Sequence, residues 1–438
     1  MRLLLATMFL AGCGAPNDVV KPPTPPAHGR VVMISIDGLM PETYLEPDGL
    51  GLRVPTLRAM HERGAFARGV ESVFPTVTYP AHTTMVTGVP PRVHGITSNR
   101  PPDPLAKNAD GWRWYSEDIA VPTLWSSVQA SGGRAAVITW PVTVGAEVAL
   151  RVPEYWRAGT ADDQKLLRTL STPHLLDRVA KGYPALWSKL TPPEVKDEAQ
   201  FAIARYVLEA EDPTLVLMHV WATDDAQHAH GPRSAQAKQA IEDVDKLLGD
   251  LLAQLEQSPD WDRTLLVVVS DHGFAAVEQE IQLDVLFAQH GLIDANGARA
   301  FSIANGGSAY VYATDSAARE AALAVATELG PRARVIEPDE VATLGGDADA
   351  AFAVIAAPGF SFGTKRTGAA FAVTPGRGTH GYHPADPNMA ASFLALGGRV
   401  QPRDLGTIRM IDIAPTVARW LGVALPSATG APIDLAAR

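Results

Sequence analysis

Short apolar runs that stop abruptly at acidic or histidine residues constrain this chain more than any other feature. Residues 31–36, Val-Val-Met-Ile-Ser-Ile, run straight into Asp37-Gly38. Similar runs occupy 135–139, 214–220, 265–270 and 392–396, and the one at 265–270 ends in Asp271-His272. A strand that is apolar along its whole length is one buried on both faces, as in parallel sheets. Helical patterns lie between the runs, at 55–63, 122–130 and 200–209. A stripe of Ile241, Val244, Leu247, Leu248, Leu251, Leu252 and Leu255 marks a fourth. The alternation predicts an α/β fold, a mostly parallel central sheet with helices on both faces. Ligands of such sheets bind beyond the carboxyl ends of the strands, which is where these acids and histidines fall.

Two further segments carry the same residue types. Asp224-Asp225-Ala226-Gln227-His228-Ala229-His230-Gly231-Pro232 follows the run at 214–220. Asp224 and His228 are four apart and share one side of a helical turn, a pairing that can hold a metal ion. Asp225 and His230 are available too, and spacing does not choose among the four. Residues 376–384, Gly-Arg-Gly-Thr-His-Gly-Tyr-His-Pro, read as a loop contributing His380 and His383. Residues 74–88 read as a strand end followed by a short helix, with Pro80 suited to the first helical position and Gly88 to the stop. Thr78 then lies at or just before a helix N-terminus, where amide groups and the helix dipole favour anions such as an alkoxide or a phosphate. A hydroxyl is a weak nucleophile until a base or a metal activates it.

Two stretches interrupt the alternation, 146–196 and 287–378, and read as insertions capping the sheet. The N-terminus is different again. Arg2, an apolar run and Leu10-Ala11-Gly12-Cys13 form an export signal, and the last four residues resemble the bacterial lipobox. Cys13, the only cysteine, is the expected lipidation site. A Pro-rich tether, 14–28, follows it. The expected layout is a signal at 1–13, the tether, a catalytic domain over 29–425 and a tail over 426–438. The expected location is a periplasm-facing membrane, the outer membrane favoured by Gly14. The net charge of −11 argues against a basic surface for a nucleic acid polymer.

The set resembles the alkaline phosphatase superfamily, and most of all its nucleotide pyrophosphatase/phosphodiesterase (type I phosphodiesterase) family. Ile36-Asp37-Gly38, 74–88, His94-Gly95-Ile96, 224–232, Ser270-Asp271-His272-Gly273 and His380-Gly381 stand in the family order. The resemblance implies an alkaline-phosphatase-like fold and two zinc ions. One is held by Asp37, Thr78, Asp271 and His272. The other is held by Asp224, His228 and His380, because the family places its histidine three residues before Gly-Pro. It also implies Thr78 as nucleophile, forming a phospho-threonine, and Asn99 as a ligand of a phosphate oxygen. His82, His94, His230 and His383 keep structural readings. The chain departs from the family at Tyr79 and Ala81, beside the leaving group, and Tyr79 is read as a surface on which a base could stack. The expected reaction is hydrolysis of a small phosphodiester, such as a nucleotide. A phosphomonoesterase or phosphonate hydrolase on the same site is the alternative, disfavoured because no Arg or Lys in the motifs matches the extra phosphate charge. A sulfatase would need a modified Cys or Ser motif that the chain lacks. A binding protein that has lost catalysis is disfavoured because every expected ligand is present.

Overall fold

The computed structural model describes residues 29–436 except 106, 109, 110, 158, 159, 192, 193 and 296. Its centre is an eight-stranded sheet. The strands are β1 (Arg30–Ile36), β2 (Ala65–Phe66), β3 (Ala135–Ile138), β4 (Leu150–Val152), β5 (Leu215–Val220), β6 (Thr264–Val269), β7 (Phe393–Gly397) and β8 (Arg403–Asp404). They lie in the order β8-β2-β7-β6-β1-β5-β3-β4. β1 runs parallel to both β5 and β6, and β3 runs parallel to β5 and to β4. β7 is antiparallel to β6 and to β2.

The apolar runs are continuous because the sheet has a core on each face. Val32, Ile34 and Ile36 point to one side, where they meet α1 (Pro55–Arg63), α3 (Asp197–Ala210) and α5 (Ala235–Glu256). Val31 and Met33 point to the other, against α2 (Thr78–Thr87) and α6 (Ile413–Leu421). α1 shows how the layers lock. Its N-cap is Val54, which cannot cap, and Pro55 opens the helix. Asp245 of α5 supplies the acceptor instead, taking the N–H groups of Thr56 at 3.1 Å and Leu57 at 2.7 Å. Asp245→Ala should therefore cost about 1–3 kcal/mol, the penalty for stranding buried donors. It should lower the urea midpoint at unchanged slope, and an unmoved midpoint would contradict the account.

The stretches that interrupt the alternation do different things. Within 146–196, β4 joins the central sheet as its edge, and helices at Ala161–Leu170 and Leu175–Gly182 follow. Within 287–378, Ala300–Ala304, Ser308–Ala313, Phe352–Ala356 and Ala333–Ile336 form a four-stranded antiparallel sheet. Residues 376–379, expected as loop, are the end of a strand, Phe371–Thr379, paired antiparallel with Ala275–Ile281. Gly378 lets that strand pass against α4 (Ala222–His230), since a Cβ there would sit 2.7 Å from the Gln227 carbonyl oxygen. Residues of the expected tail pack back: Leu435 is buried, and the Ala431 N–H donates to Asp412.

The expected location requires correction. Among the described residues no helix is long and apolar enough to cross a membrane, and none is a cysteine able to carry a lipid. The reading as a lipoprotein on a periplasm-facing membrane is withdrawn. Cys13, the signal and the tether lie outside the described residues.

Candidate metal centre and nucleophile

The expected carboxylate and imidazole ligands come from the carboxyl ends of β1 and β6, from the helix α4 that follows β5, and from the end of a strand outside the central sheet. Asp37 follows β1, and its N–H is fixed by the Val220 carbonyl of β5 at 2.9 Å. Gly38 then turns with φ +67, where a Cβ would meet the Phe274 ring at 2.6 Å. Asp271 and His272 follow β6, and the Ser72 hydroxyl donates to the Asp271 carbonyl at 2.7 Å. Asp224 and His228 lie on α4, one turn apart. His380 follows the strand Phe371–Thr379, and Gly381 (φ +88) leaves no room for a side chain against Asn305.

These donors meet in two groups. Ligand atoms of Asp224, His228 and His380 lie within 4.8 Å of one another, as do those of Asp37, Asp224 and His272. His272 Nε2 is 3.3 Å from Asp37 Oδ1 and 3.1 Å from Asp271 Oδ2. Asp224 lies 3.5 Å from His228 Nε2 and 3.8 Å from His380 Nε2. Asp225 and His230 fall in neither group.

The hydrogen bonding shows what these atoms are prepared for. All three histidines spend Nδ1 on a backbone carbonyl: His228 on Gly378 at 2.9 Å, His380 on Thr76 at 3.0 Å and His272 on Gly273 at 3.1 Å. With Nδ1–H donating outward, the Nε2 lone pair faces the site, the arrangement usual for a metal-binding imidazole. Asp37 Oδ1, Asp224 Oδ1, Asp271 Oδ2 and His272 Nε2 are buried with no hydrogen-bond partner among the described residues. Buried polar atoms are normally paired, so orphaned acceptors gathered at one place fit divalent cations.

The electrostatics agree. Burial and the neighbouring Asp271 hold the Asp37 carboxyl well above the usual carboxylate range. Burial and Asp37 do the same to Asp224. Burial, with help from His272, lowers His228 to about 4 and keeps His380 neutral at ordinary pH. Asp271 and His272 differ: burial works against both charges, but their mutual attraction holds the Asp271 carboxyl well below the usual carboxylate range and raises the His272 imidazole. At Asp37, Asp224, His228 and His380, crowded carboxylates and neutral imidazoles are the state a cation relieves.

Thr78 is the first residue of α2, and Val77 is the N-cap with no side-chain cap bond. The Thr78 hydroxyl is thus not the helix cap. Pro80, expected at the first helical position, is the third residue, still within the turn that needs no N–H donor. Asn99 Oδ1 accepts the Tyr79 N–H at 2.8 Å, which holds Asn99 beside the N-terminus of α2. Tyr79 stands differently from its expected role. It has no exposed surface, its hydroxyl donates to Glu154 at 2.8 Å, and its ring packs against Trp112 and Trp114. No open face is left for a base.

A pocket of 320 Å³ adjoins the centre, lined by Asp37, Thr78, Asp224, Asp225, His228, Glu154, His219, Trp112, Trp156 and Trp221. Sequence reasoning missed the last five. Trp112 and Trp156, both part-exposed, meet at a ring distance of 5.7 Å, and Trp156 meets Trp221 at 5.8 Å. Among the histidines given structural readings, His82 is buried, with Nδ1 2.8 Å from the Thr78 carbonyl. His94 is buried against the Thr84 hydroxyl at 3.0 Å.

Known proteins resemble this one along most of the chain. Human ectonucleotide pyrophosphatase/phosphodiesterase family member 5 is 28% identical over 269 residues, 59% of this chain and 48% of that protein. Human family member 7 is 24% identical over 64% of this chain and 54% of that protein. The chain spans about half the length of the curated relatives it matches. The structure of human ectonucleotide pyrophosphatase/phosphodiesterase 5 superposes with a TM-score of 0.67 at 21% identity, covering 93% of this chain and 97% of that one. The murine protein, solved as an inactive variant in complex with AMP, gives 0.66 at 21% identity, with 92% and 97% covered. The profile described as "Type I phosphodiesterase / nucleotide pyrophosphatase" matches residues 31–383, and the chain belongs to that family, within the alkaline phosphatase superfamily.

Proposed function

We propose that the protein hydrolyses small phosphodiesters with Thr78 as nucleophile, at a centre holding two zinc ions. The observation that carries the reading is the set of orphaned carboxylate and imidazole atoms in the centre beside Thr78. Asp37, Thr78, Asp271 and His272 would hold one ion, and Asp224, His228 and His380 the other. Oxygen and imidazole donors of this kind suit zinc. Bound there, the ions would lower the pKa of the Thr78 hydroxyl and neutralise charge on the phosphate and the leaving oxygen.

The chain does the rest. The N-terminus of α2 presents amide groups to the phosphoryl oxygens, and Asn99, held by the Tyr79 N–H, is placed to donate its amide to one of them. Thr78 Oγ1 attacks phosphorus and forms a phospho-threonine as the ester oxygen leaves. Water then cleaves the Thr78–phosphorus bond and restores the hydroxyl. Trp112 and Trp156, rather than Tyr79, offer rings to an organic substituent such as a nucleobase. The AMP bound by the murine relative is in keeping with a nucleotide-like substrate.

A diester is favoured over a monoester because no Lys or Arg is among the described residues lining the pocket, so no lining side chain answers the second phosphate charge. The test is turnover of a chromogenic diester and monoester by zinc-loaded protein. The diester should have the larger kcat/KM by about tenfold or more, and a preference for the monoester would overturn the reading. Trp156→Ala should raise KM for a nucleotide diester about tenfold, as expected for loss of one stacking ring (~1–3 kcal/mol). It should leave kcat within about threefold.

A further inference from the structure

Behind the candidate zinc ligands lies a buried polar chain that the proposed chemistry does not use. The Tyr79 hydroxyl donates to Glu154 Oε1 at 2.8 Å. Glu154 Oε2 is 2.8 Å from His219 Nδ1, and His219 Nε2 is 3.0 Å from Asp37 Oδ2. None of the four residues is more than 3% exposed. They come from four places in the chain. Asp37 follows β1, and His219 sits on the neighbouring strand β5, where it pairs with Ser35, two residues before Asp37. Glu154 lies two residues beyond β4, and Tyr79 is the second residue of α2.

We propose that Glu154 and His219 are positioning residues that hold Asp37 as a one-oxygen metal ligand, with Tyr79 anchoring the far end. The inference rests on the two-zinc reading of the centre. Asp37 has two oxygens and a freely rotating carboxyl group. His219 occupies Oδ2, which leaves Oδ1 as the oxygen directed at His272 Nε2, 3.3 Å away, and as the one without a hydrogen-bond partner. Rotation of the carboxylate would break the His219 contact. His219 cannot swing away, because Glu154 holds its other nitrogen and the His82 ring packs across it at 4.3 Å. Glu154 is fixed in turn by the Tyr79 hydroxyl. Tyr79 is itself pinned at its backbone by Asn99.

The energetics separate this role from simple packing. Burying a carboxylate against an imidazole gives little net stability compared with apolar side chains of the same size. Such a chain is explained where it fixes a geometry, and outer partners that orient metal ligands are a recurrent case. The same chain accounts for Tyr79 standing where it does: its ring is turned into the core to deliver its hydroxyl to Glu154.

The experiment compares wild type, Glu154→Gln and Tyr79→Phe for zinc affinity, by competition with a chromogenic chelator. The metal-free thermal midpoint and the kinetics at saturating zinc are measured alongside. Glu154→Gln should raise the zinc dissociation constant about 10–100-fold, and at saturating zinc should lower kcat more than it raises KM. Tyr79→Phe, a gentler change that keeps the ring, should move affinity the same way by about threefold, with the metal-free midpoint lowered only as far as the loss of one buried hydrogen bond to Glu154 requires. If Glu154→Gln fails to fold, Tyr79→Phe alone decides. Wild-type zinc affinity in both variants, with or without a lower midpoint, overturns the positioning role and leaves the two-zinc reading standing. A wild-type protein that binds no zinc overturns both.

Discussion

Replacing Thr78 with alanine is expected to lower kcat/KM for a phosphodiester by about 10⁴-fold or more while leaving the fold intact. The size follows from losing the only covalent route, since removing a nucleophile costs orders of magnitude more than removing a positioning contact. The intact fold follows from the residue's place. Thr78 is the first residue of α2 rather than its cap, and alanine is the better helix former. Thr78→Ser restores a hydroxyl at the same position and should recover activity to within about 100-fold of wild type. Rapid acid quench of the wild type with substrate labelled at phosphorus should leave label on Thr78, and none on protein carrying the alanine. An alanine variant within tenfold of wild type would remove Thr78 from the chemistry.

Much of this site was legible in the sequence because strand ends are visible there. Asp37, Asp271 and His272 each close a run that is apolar for a structural reason, the two-sided core of the central sheet. The Asp224–His228 pair was visible as a helical spacing, yet choosing it over Asp225 and His230 took the family resemblance. His219 was hidden for the opposite reason. It sits inside the buried run of β5, and a lone polar residue in an apolar strand gives no sign of which neighbour it meets. Glu154 was invisible because β4 is three residues long, too short to register as a strand whose end could carry function. Tyr79 was misjudged because all ten residues of α2 are buried. A helix enclosed on all sides has no polar face to indicate where a given ring points.

Asp224→Asn should produce the other large effect, and in two opposite directions. Asp224 is a proposed ligand of the ion shared with His228 and His380, and its carboxylate also lies within 4.8 Å of ligand atoms of Asp37 and His272, so the substitution should strip a ligand from one metal, loosen the other less, and lower kcat/KM about 10³-fold. In the metal-free protein the same change removes a buried charge that burial and Asp37 disfavour. Metal-free Asp224→Asn should therefore melt at or above the wild-type temperature. The pH dependence follows from the sign of the shift. A carboxyl whose pKa is raised by folding holds its proton more tightly folded than unfolded. Its cost is absent below the ordinary carboxylate range and grows as pH rises through the raised value. The metal-free wild type should accordingly lose stability over that interval, and the variant should lose less. Zinc reverses the order. At a thousandfold excess over its dissociation constant a ligand adds about 4 kcal/mol per site, a gain the wild type should show and the variant should largely forfeit. Thermal midpoints with and without zinc, across pH, measure both effects. A variant that is less stable than wild type without metal, yet gains as much from zinc, would show that Asp224 is a structural carboxylate and not a metal ligand.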